Sequence, residues 1–215
     1  MSRFINILLA FFLVISSGVA FSQMGPPGFS GNWDPREHWQ GWSVDQPFTP
    51  EGQVLQDNWG PDDDTGLQCH YPLGRILSSM WMLETFQTED RVLLVYEFDN
   101  TVRRIYMDGR EHEDSFPTLL GRSIGHWEGE TLVVETRNLE AGFTRFQGLP
   151  YTSDLTLTER FSLSEDESQL TIEFTFDDSN YYREPWTVST LYDRSNYEVR
   201  DSACTLREHI ATVPE

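Results

Sequence analysis

The sequence contains no lysine, and all 15 of its basic residues are arginines. Mechanisms that need a lysine nucleophile or a lysine Schiff base are therefore excluded. The 35 acidic residues bring the formal net charge to −20, and a field of this sign repels phosphate backbones and anionic lipid surfaces. We therefore expect neither nucleic-acid binding nor a stable membrane anchor.

Long apolar runs are also scarce, and the one that stands out lies close to the first residue. Arg3 precedes an apolar run over residues 4–15, which is too short for a membrane-spanning helix of about 20 residues. Small residues, Ala20 and Ser22, occupy the positions that a signal peptidase reads. We predict a secretory signal peptide over residues 1–22, cleaved near Ser22 and Gln23, and a secreted or periplasmic location.

Cysteine is limited to Cys69 and Cys204. In an exported protein two cysteines predict one disulfide, and no paired cysteine or histidine spacing accompanies them to suggest zinc. The acidic turn over residues 61–66 lacks the alternating ligands of a calcium loop. We therefore predict a Cys69–Cys204 disulfide, no metal site and no cofactor.

The sequence shows no long helical period and no internal repeat, and from Met82 onward it alternates with a period of two. Residues 170–176, for example, place apolar side chains at every second position, which is typical of a strand with one buried face. We predict an all-β domain over residues 67–215, an antiparallel meander forming a lipocalin-like barrel or a two-sheet sandwich. The Pro- and Trp-rich residues 23–66 form an extended arm packed on it, and Thr49-Pro50 can begin a short helix there.

One predicted strand carries two adjacent arginines, Arg103 and Arg104. Neighbouring strand residues face opposite sides, so one guanidinium must face inward; which one stays open. Glu159 shares a face with apolar Leu157 and Phe161, and a buried carboxylate needs a partner. We predict an internal Arg–Glu pair, which either fixes strand register or serves a site in which the arginine holds a ligand carboxylate or Glu159 moves a proton.

Residues 121–125 spell G-x-S-x-G around Ser123, the string of a nucleophile elbow. The order Ser123, Asp201, His209 would also suit a hydrolase triad. An elbow, however, needs a helix after the serine, and here the pattern predicts a strand. We therefore do not expect serine-hydrolase chemistry and keep Ser123 as a candidate ligand contact.

Two strings carry a family resemblance: residues 96–112 read YEFDNTVRRIYMDGREH and residues 121–136 read GRSIGHWEGETLVVET. They resemble the motifs YEYDNxxRRIYxDGRxH and GHSIGRWEGDTLVVDT of a widespread family of bacterial exported proteins of unknown function. Around the SIG core this chain has Arg122 and His126 where family members show histidine and then arginine. The resemblance implies export, an all-β fold and a recurrent polar cluster, and it implies no reaction.

Three hypotheses about function follow. In the first, the protein binds a small, partly apolar or carboxylate-bearing molecule in a barrel or sandwich cleft, with contacts drawn from Arg103, Arg104, Tyr96, Tyr106, Trp127, Trp186 and Ser123. In the second, an enzyme (an isomerase, cyclase or hydrolase) uses an acid–base pair drawn from His126, Glu159 and Glu135. In the third, the acidic face or the Trp-rich arm binds another protein.

Overall fold

Nine strands close into a barrel in the computed structural model, which describes residues 28–37, 42–43, 45–79, 81–145, 147–202 and 204. The predicted signal peptide and its cleavage site lie outside these residues. The strands, in chain order, are β1 (Gly31–Glu37), β2 (Leu83–Gln87), β3 (Arg91–Tyr96), β4 (Thr101–Tyr106), β5 (Arg122–Glu128), β6 (Thr131–Arg137), β7 (Gly142–Phe143), β8 (Pro150–Tyr151), β9 (Thr156–Leu163), β10 (Gln169–Asp177) and β11 (Trp186–Ser195). Strands β7 and β8 form a separate two-stranded ribbon.

The ring runs β1-β11-β10-β9-β6-β5-β4-β3-β2, and β2 pairs with β1 to close it. The prediction of an all-β barrel is confirmed. One pair departs from a simple antiparallel meander, because β4 and β5 run parallel. Parallel neighbours cannot be joined by a tight hairpin, and the chain accordingly takes the long connection over residues 107–121 between them.

Apolar and polar residues alternate along the strands, so that the apolar side chains point into the barrel and the polar ones point outward. On β10, Ile172 and Phe174 are buried and Glu173 between them is exposed. On the neighbouring strand β9, Phe161 pairs with Ile172, and Leu157 pairs with Phe176; both also point inward. Burial of such side chains contributes about 1.5–3 kcal/mol each, so the filled interior supplies most of the stabilisation.

The segment predicted as an arm supplies β1, which pairs with β11 and β2 and so completes the ring. Pro35 lies at a register shift between β1 and β11, the kind of irregularity at which a strand tolerates proline. The predicted short helix is present as α1 (Pro50–Asn58), and the Thr49 hydroxyl accepts the Gly52 N–H at 3.1 Å. A second helix, α2 (Leu73–Leu77), is buried along its whole length.

The predicted disulfide joins Cys69 to Cys204, with their Cα atoms 5.7 Å apart, inside the normal range. The bridge spans 135 residues of sequence and ties the C-terminal segment to the loop before α2. In the chain-entropy model a loop of this length contributes about 4–5 kcal/mol. Among the described residues, no helix is both long and apolar enough to cross a membrane.

Candidate functional site

Strand β4 places its two arginines on opposite faces. Arg103 points into the barrel and is 1% exposed, whereas Arg104 points outward and is exposed. Glu159, on β9, is fully buried opposite Arg103. The inward arginine is therefore Arg103, and the internal Arg–Glu pair joins it to Glu159.

The guanidinium of Arg103 donates four hydrogen bonds to buried side chains. Its Nη1 donates to Glu159 Oε1 at 2.9 Å, and its Nη2 donates to Glu159 Oε2. Nη2 also donates to Thr136 Oγ1 at 2.8 Å, and Nε donates to Ser123 Oγ at 3.0 Å. A bidentate pair with two further hydrogen bonds is the geometry that offsets the cost of burying both charges. Because both oxygens of Glu159 are occupied, the geometry favours a structural pair over a proton-transfer group.

The pKa values of Arg103 and Tyr96 are both raised in this cluster. Burial alone lowers the pKa of Arg103, but the charge and hydrogen bonds of Glu159 outweigh burial and raise it. Burial raises the pKa of neighbouring Tyr96 to about 12, and the charge and hydrogen bond of Arg103 act in the opposite direction. At neutral pH the interior thus holds a charged Arg103 beside a neutral Tyr96 phenol.

The barrel wall opens beside this cluster. Strands β4 and β5 are joined by two residue pairs, Ile105 with Ser123 and Tyr106 with Ile124. Residues 101–104 pair with β3 on one edge, and no strand in the described chain pairs with their other edge. We call the space between residues 101–104 and residues 115–121 the wall gap.

A turn ending at Gly121 keeps β5 from closing the wall gap. Gly121 has a φ of 62°, and its N–H donates to the carbonyl of Thr118 at 3.2 Å. A Cβ at this position would lie 2.6 Å from the carbonyl oxygen of Arg137. The carbonyl of Thr118 also accepts the Glu140 N–H at 2.8 Å. The chain before β5 is therefore pinned against the end of β6 and away from β4, and only glycine fits the turn.

The wall gap holds a cavity of about 400 Å³, within the roughly 300–1,000 Å³ range of small-molecule sites. None of the described residues that line it is acidic. Its four arginines are Arg103, Arg104, Arg110 and Arg122. Its other lining residues are Val102, Tyr106, Ser115, Phe116, Thr118, Leu120, Gly121, Ser123 and Asn138. In a chain of net charge −20, this is a basic cavity with an apolar side.

The four arginines differ in how free they are to meet a ligand. Arg103 is held by Glu159, and Arg110 donates to Asp108 at 2.8 Å and stacks over a tyrosine ring. The hydrogen bonds from Arg110 lower the pKa of Asp108 to about 2, so that pair stays charged.

The other two arginines are available. Arg122 Nη1 lies 3.2 Å from Oε2 of Glu113, whose side chain is 75% exposed; such a pair contributes less than about 1 kcal/mol. Arg104 forms no ion pair or hydrogen bond through its side chain with any residue in the described part of the chain. Arg104 and Arg122 are thus the cations that an anionic ligand would meet.

The three residues predicted as acid–base candidates are not brought together. Glu159 lies inside the barrel, whereas His126 and Glu135 lie on its outer face, with side chains 64% and 40% exposed. His126 contacts Glu128, and Glu135 pairs with Arg137 at 2.8 Å.

Of the seven predicted ligand contacts, Arg103, Arg104, Tyr106 and Ser123 line the wall gap. Tyr96 is buried in the interior beside Arg103. Trp186 stacks on Phe176 in the buried core, with their ring centroids 4.3 Å apart. Trp127 borders a separate depression with Gln87 and Glu89.

Three residues at this site, Arg110, Arg122 and Phe116, were not predicted from the sequence as ligand contacts. Arg110 and Phe116 lie in the connection that precedes β5, Phe116 being 91% exposed, and Arg122 is the first residue of β5. One signal was present: residues 103–122 hold four arginines and four acids, and are locally neutral in a strongly acidic chain.

His112 also lies in this connection, with its Nε2 3.4 Å from Glu135 Oε1. Both of its ring nitrogens are buried without a hydrogen-bond partner among the described residues. Burial lowers the pKa of His112, and the charge of Glu135 offsets only part of that effect. His112 is therefore neutral at neutral pH.

The sequence matches none of the protein-family models against which it was scanned, and a search of curated proteins finds no significant match. The predicted family resemblance stays a prediction. In the described chain, no group of three or more histidine, cysteine, aspartate or glutamate side chains is arranged to hold a metal ion.

Proposed function

We propose that the protein binds a small carboxylate-bearing molecule with an apolar part in the wall gap. Arg104 and Arg122 contact the carboxylate, and Tyr106, Phe116 and Leu120 contact the apolar part. Arg103 takes no direct role, because Glu159, Thr136 and Ser123 already occupy it, and it instead fixes β4 from inside.

The observation that carries the proposal is the unpaired charge of Arg104 at a cavity without acidic lining. The chain has 35 acidic residues, so a surface arginine has many possible partners. Arg104 has none among the described residues, and its neighbour Arg122 has only a highly exposed one. A carboxylate bound between two guanidinium groups gains charge-assisted hydrogen bonds, each of about 1.5–3 kcal/mol.

Isothermal titration calorimetry with a matched pair of probes tests the proposal. We expect 4-phenylbutyrate to bind and its neutral amide, 4-phenylbutyramide, to bind at least about ten-fold more weakly, since about 1.4 kcal/mol corresponds to a factor of ten. Arg104→Gln should weaken binding of the acid by a similar factor. Arg183→Gln is the matched control, because Arg183 is exposed and does not line the wall gap.

Equal binding of the acid and the amide would contradict the proposal, and so would equal losses in the Arg104→Gln and Arg183→Gln variants. Absence of binding by the acid to the wild-type protein would overturn it outright.

We also propose that the protein is exported and belongs to the family that it resembles. The disulfide supports an oxidising compartment, since such bonds are rare in the cytosol. Intact-mass measurement after expression of the full sequence in a bacterial host tests this proposal. We expect a chain that begins near Gln23 in the exported fraction, and retention of residues 1–22 there would contradict it.

A further inference from the structure

The wall gap exposes backbone as well as side chains. In a strand, the N–H and C=O groups of successive residues point alternately to the two sides, so half of those on residues 101–104 point into the gap. Thr101 N–H is satisfied by the turn before β4. In the part of the chain that the structure describes, no strand pairs with this side of residues 101–104, and the pairing of β4 with β5 begins only at Ile105 and Ser123. A short length of strand edge is thus open inside an otherwise closed barrel.

The two available arginines stand where this open edge ends. The parallel register pairs Ile105 with Ser123, so one step back along both strands places Arg104 beside Arg122. Ser123 points inward, and Arg122 therefore points to the outer face, as Arg104 does. Two guanidinium groups flank the fork at which β4 and β5 separate.

We propose that the ligand is a short peptide with a free C-terminal carboxylate, bound as an added strand along the open edge of β4. This inference rests on the function proposed above and names the class of ligand. The peptide runs parallel to β4, as an extension of β5 would, because this direction brings its C-terminus to the fork. Its carboxylate then lies between Arg104 and Arg122, and its backbone completes the ladder that β5 leaves open. Strand addition and capture of a terminal carboxylate are both established modes of peptide recognition.

The size of the wall gap limits the length of the peptide. Residues 101–104 span about 13 Å at a rise of about 3.3 Å per residue, which accommodates about four peptide residues. Tyr106, Phe116 and Leu120 line the cavity and would contact alternate side chains of the peptide. The two arginines would select ligands with a carboxylate. The open edge of β4 would favour peptides over other carboxylic acids, because only an extended peptide backbone can hydrogen-bond along it.

Calorimetry with the peptide acetyl-leucyl-valyl-leucyl-valine tests the inference. We expect the free acid to bind at least ten-fold more tightly than its C-terminal amide and more tightly than 4-phenylbutyrate. N-methylation of one peptide amide at a time should give an alternating result. Methylation of amides that face β4 should weaken binding at least ten-fold, and methylation of the others should change it less than three-fold. Arg122→Gln should weaken binding of the free-acid peptide and leave binding of the peptide amide unchanged.

The possible results separate this inference from the proposed function. An alternating methylation pattern together with a preference for the acid supports it. If 4-phenylbutyrate binds through Arg104 while the peptide binds no more tightly and methylation has no alternating effect, the peptide inference is overturned and the proposed function stands. If neither acid binds the wild-type protein, both are overturned.

Discussion

Arg103 and Arg104 are adjacent in sequence and lie in two regions with opposite chemistry. Behind β4, the interior surrounds Arg103 with a carboxylate and two hydroxyl groups. At the wall gap, Arg104 is left without a partner among the described residues, although the molecule as a whole is acidic. A buried charge must be satisfied within the fold or the fold is lost, whereas an exposed charge can be kept for a ligand. The difference indicates that the interior stabilises the barrel and the gap is available for binding.

The same contrast holds for the backbone. One edge of β4 is fixed by a complete ladder with β3, whereas its other edge forms only two residue pairs, both with β5. Barrels normally leave no open edges, because an open edge invites pairing with another chain. An opening maintained by a glycine turn and flanked by two arginines is therefore a specific feature of this barrel.

The largest expected effect comes from removing the interior arginine. Arg103→Met leaves the Glu159 carboxylate buried without its partner, and we expect it to lower the free energy of unfolding by about 3–5 kcal/mol. Arg104→Met makes the same substitution one residue away, and we expect it to alter the free energy of unfolding by no more than about 0.5 kcal/mol. Urea denaturation followed by tryptophan fluorescence measures both.

A double variant keeps this test decisive if Arg103→Met fails to fold. Arg103→Met with Glu159→Leu removes both charges, and we expect it to be more stable than Arg103→Met alone, since apolar replacement of a whole buried pair is often tolerated. A double variant less stable than the single one would show that the buried charge is not the cause. Equal losses for Arg103→Met and Arg104→Met would remove the distinction between the two regions.

The second expected effect concerns the turn that holds the wall gap open. Gly121→Ala adds a Cβ 2.6 Å from a backbone oxygen at a φ of 62°, and we expect a loss of about 1–3 kcal/mol together with weaker binding of 4-phenylbutyrate. Gly129→Ala is the control, because Gly129 has the same φ of 62° but a Cβ there would meet nothing within 4 Å. If both variants lose the same stability and both bind 4-phenylbutyrate as tightly as the wild type does, the contact of residue 121 with the end of β6 does not determine the shape of the wall gap.

Local patterns predicted the elements of the fold that depend on local chemistry. Thr49-Pro50 marked the start of α1, and the alternation over residues 170–176 marked one wet face of β10. Glu159 was predicted to be internal because its neighbours on the same face are apolar. In each case the deciding residues are close together in the sequence.

What the sequence left open depends on residues far apart in it. The parallel pairing of β4 and β5 follows from the path of residues 107–121, which carry no periodic pattern. Strand β1 contains Pro35 and several polar residues, so its closing role could not be read from propensity. The wall gap is lined largely by residues 107–121 and by the ends of β4 and β5 that they bring together, and for that reason Arg122 and Phe116 were not predicted.

A smaller effect tests the availability of Arg122 at the wall gap. Glu113→Gln removes the exposed carboxylate that lies 3.2 Å from Arg122 and competes with a bound ligand. Exposed pairs are worth about 0.2–1 kcal/mol, so we expect 4-phenylbutyrate to bind about 1.5- to 5-fold more tightly by calorimetry. Glu111→Gln makes the same charge change in the same connection, where Glu111 is exposed, and we expect less effect. Equal gains in both variants would point to general repulsion and not to Arg122.

The smallest expected effect concerns His112, which lies in the same connection as the gap residues and faces Glu135, Arg137 and Arg122. Burial lowers its pKa in the folded state below the ordinary 6.5, so protonation favours the unfolded state. The stabilisation that neutral His112 contributes is therefore complete above pH 6.5. It is lost progressively as the pH falls from 6.5 toward the lower pKa of the folded state. We expect the free energy of unfolding to fall less between pH 7.5 and pH 5.5 in His112→Gln than in the wild type. His126→Gln, at a side chain that is 64% exposed, should keep the wild-type difference, and an unchanged pH dependence in His112→Gln would show that this histidine does not couple the connection to pH.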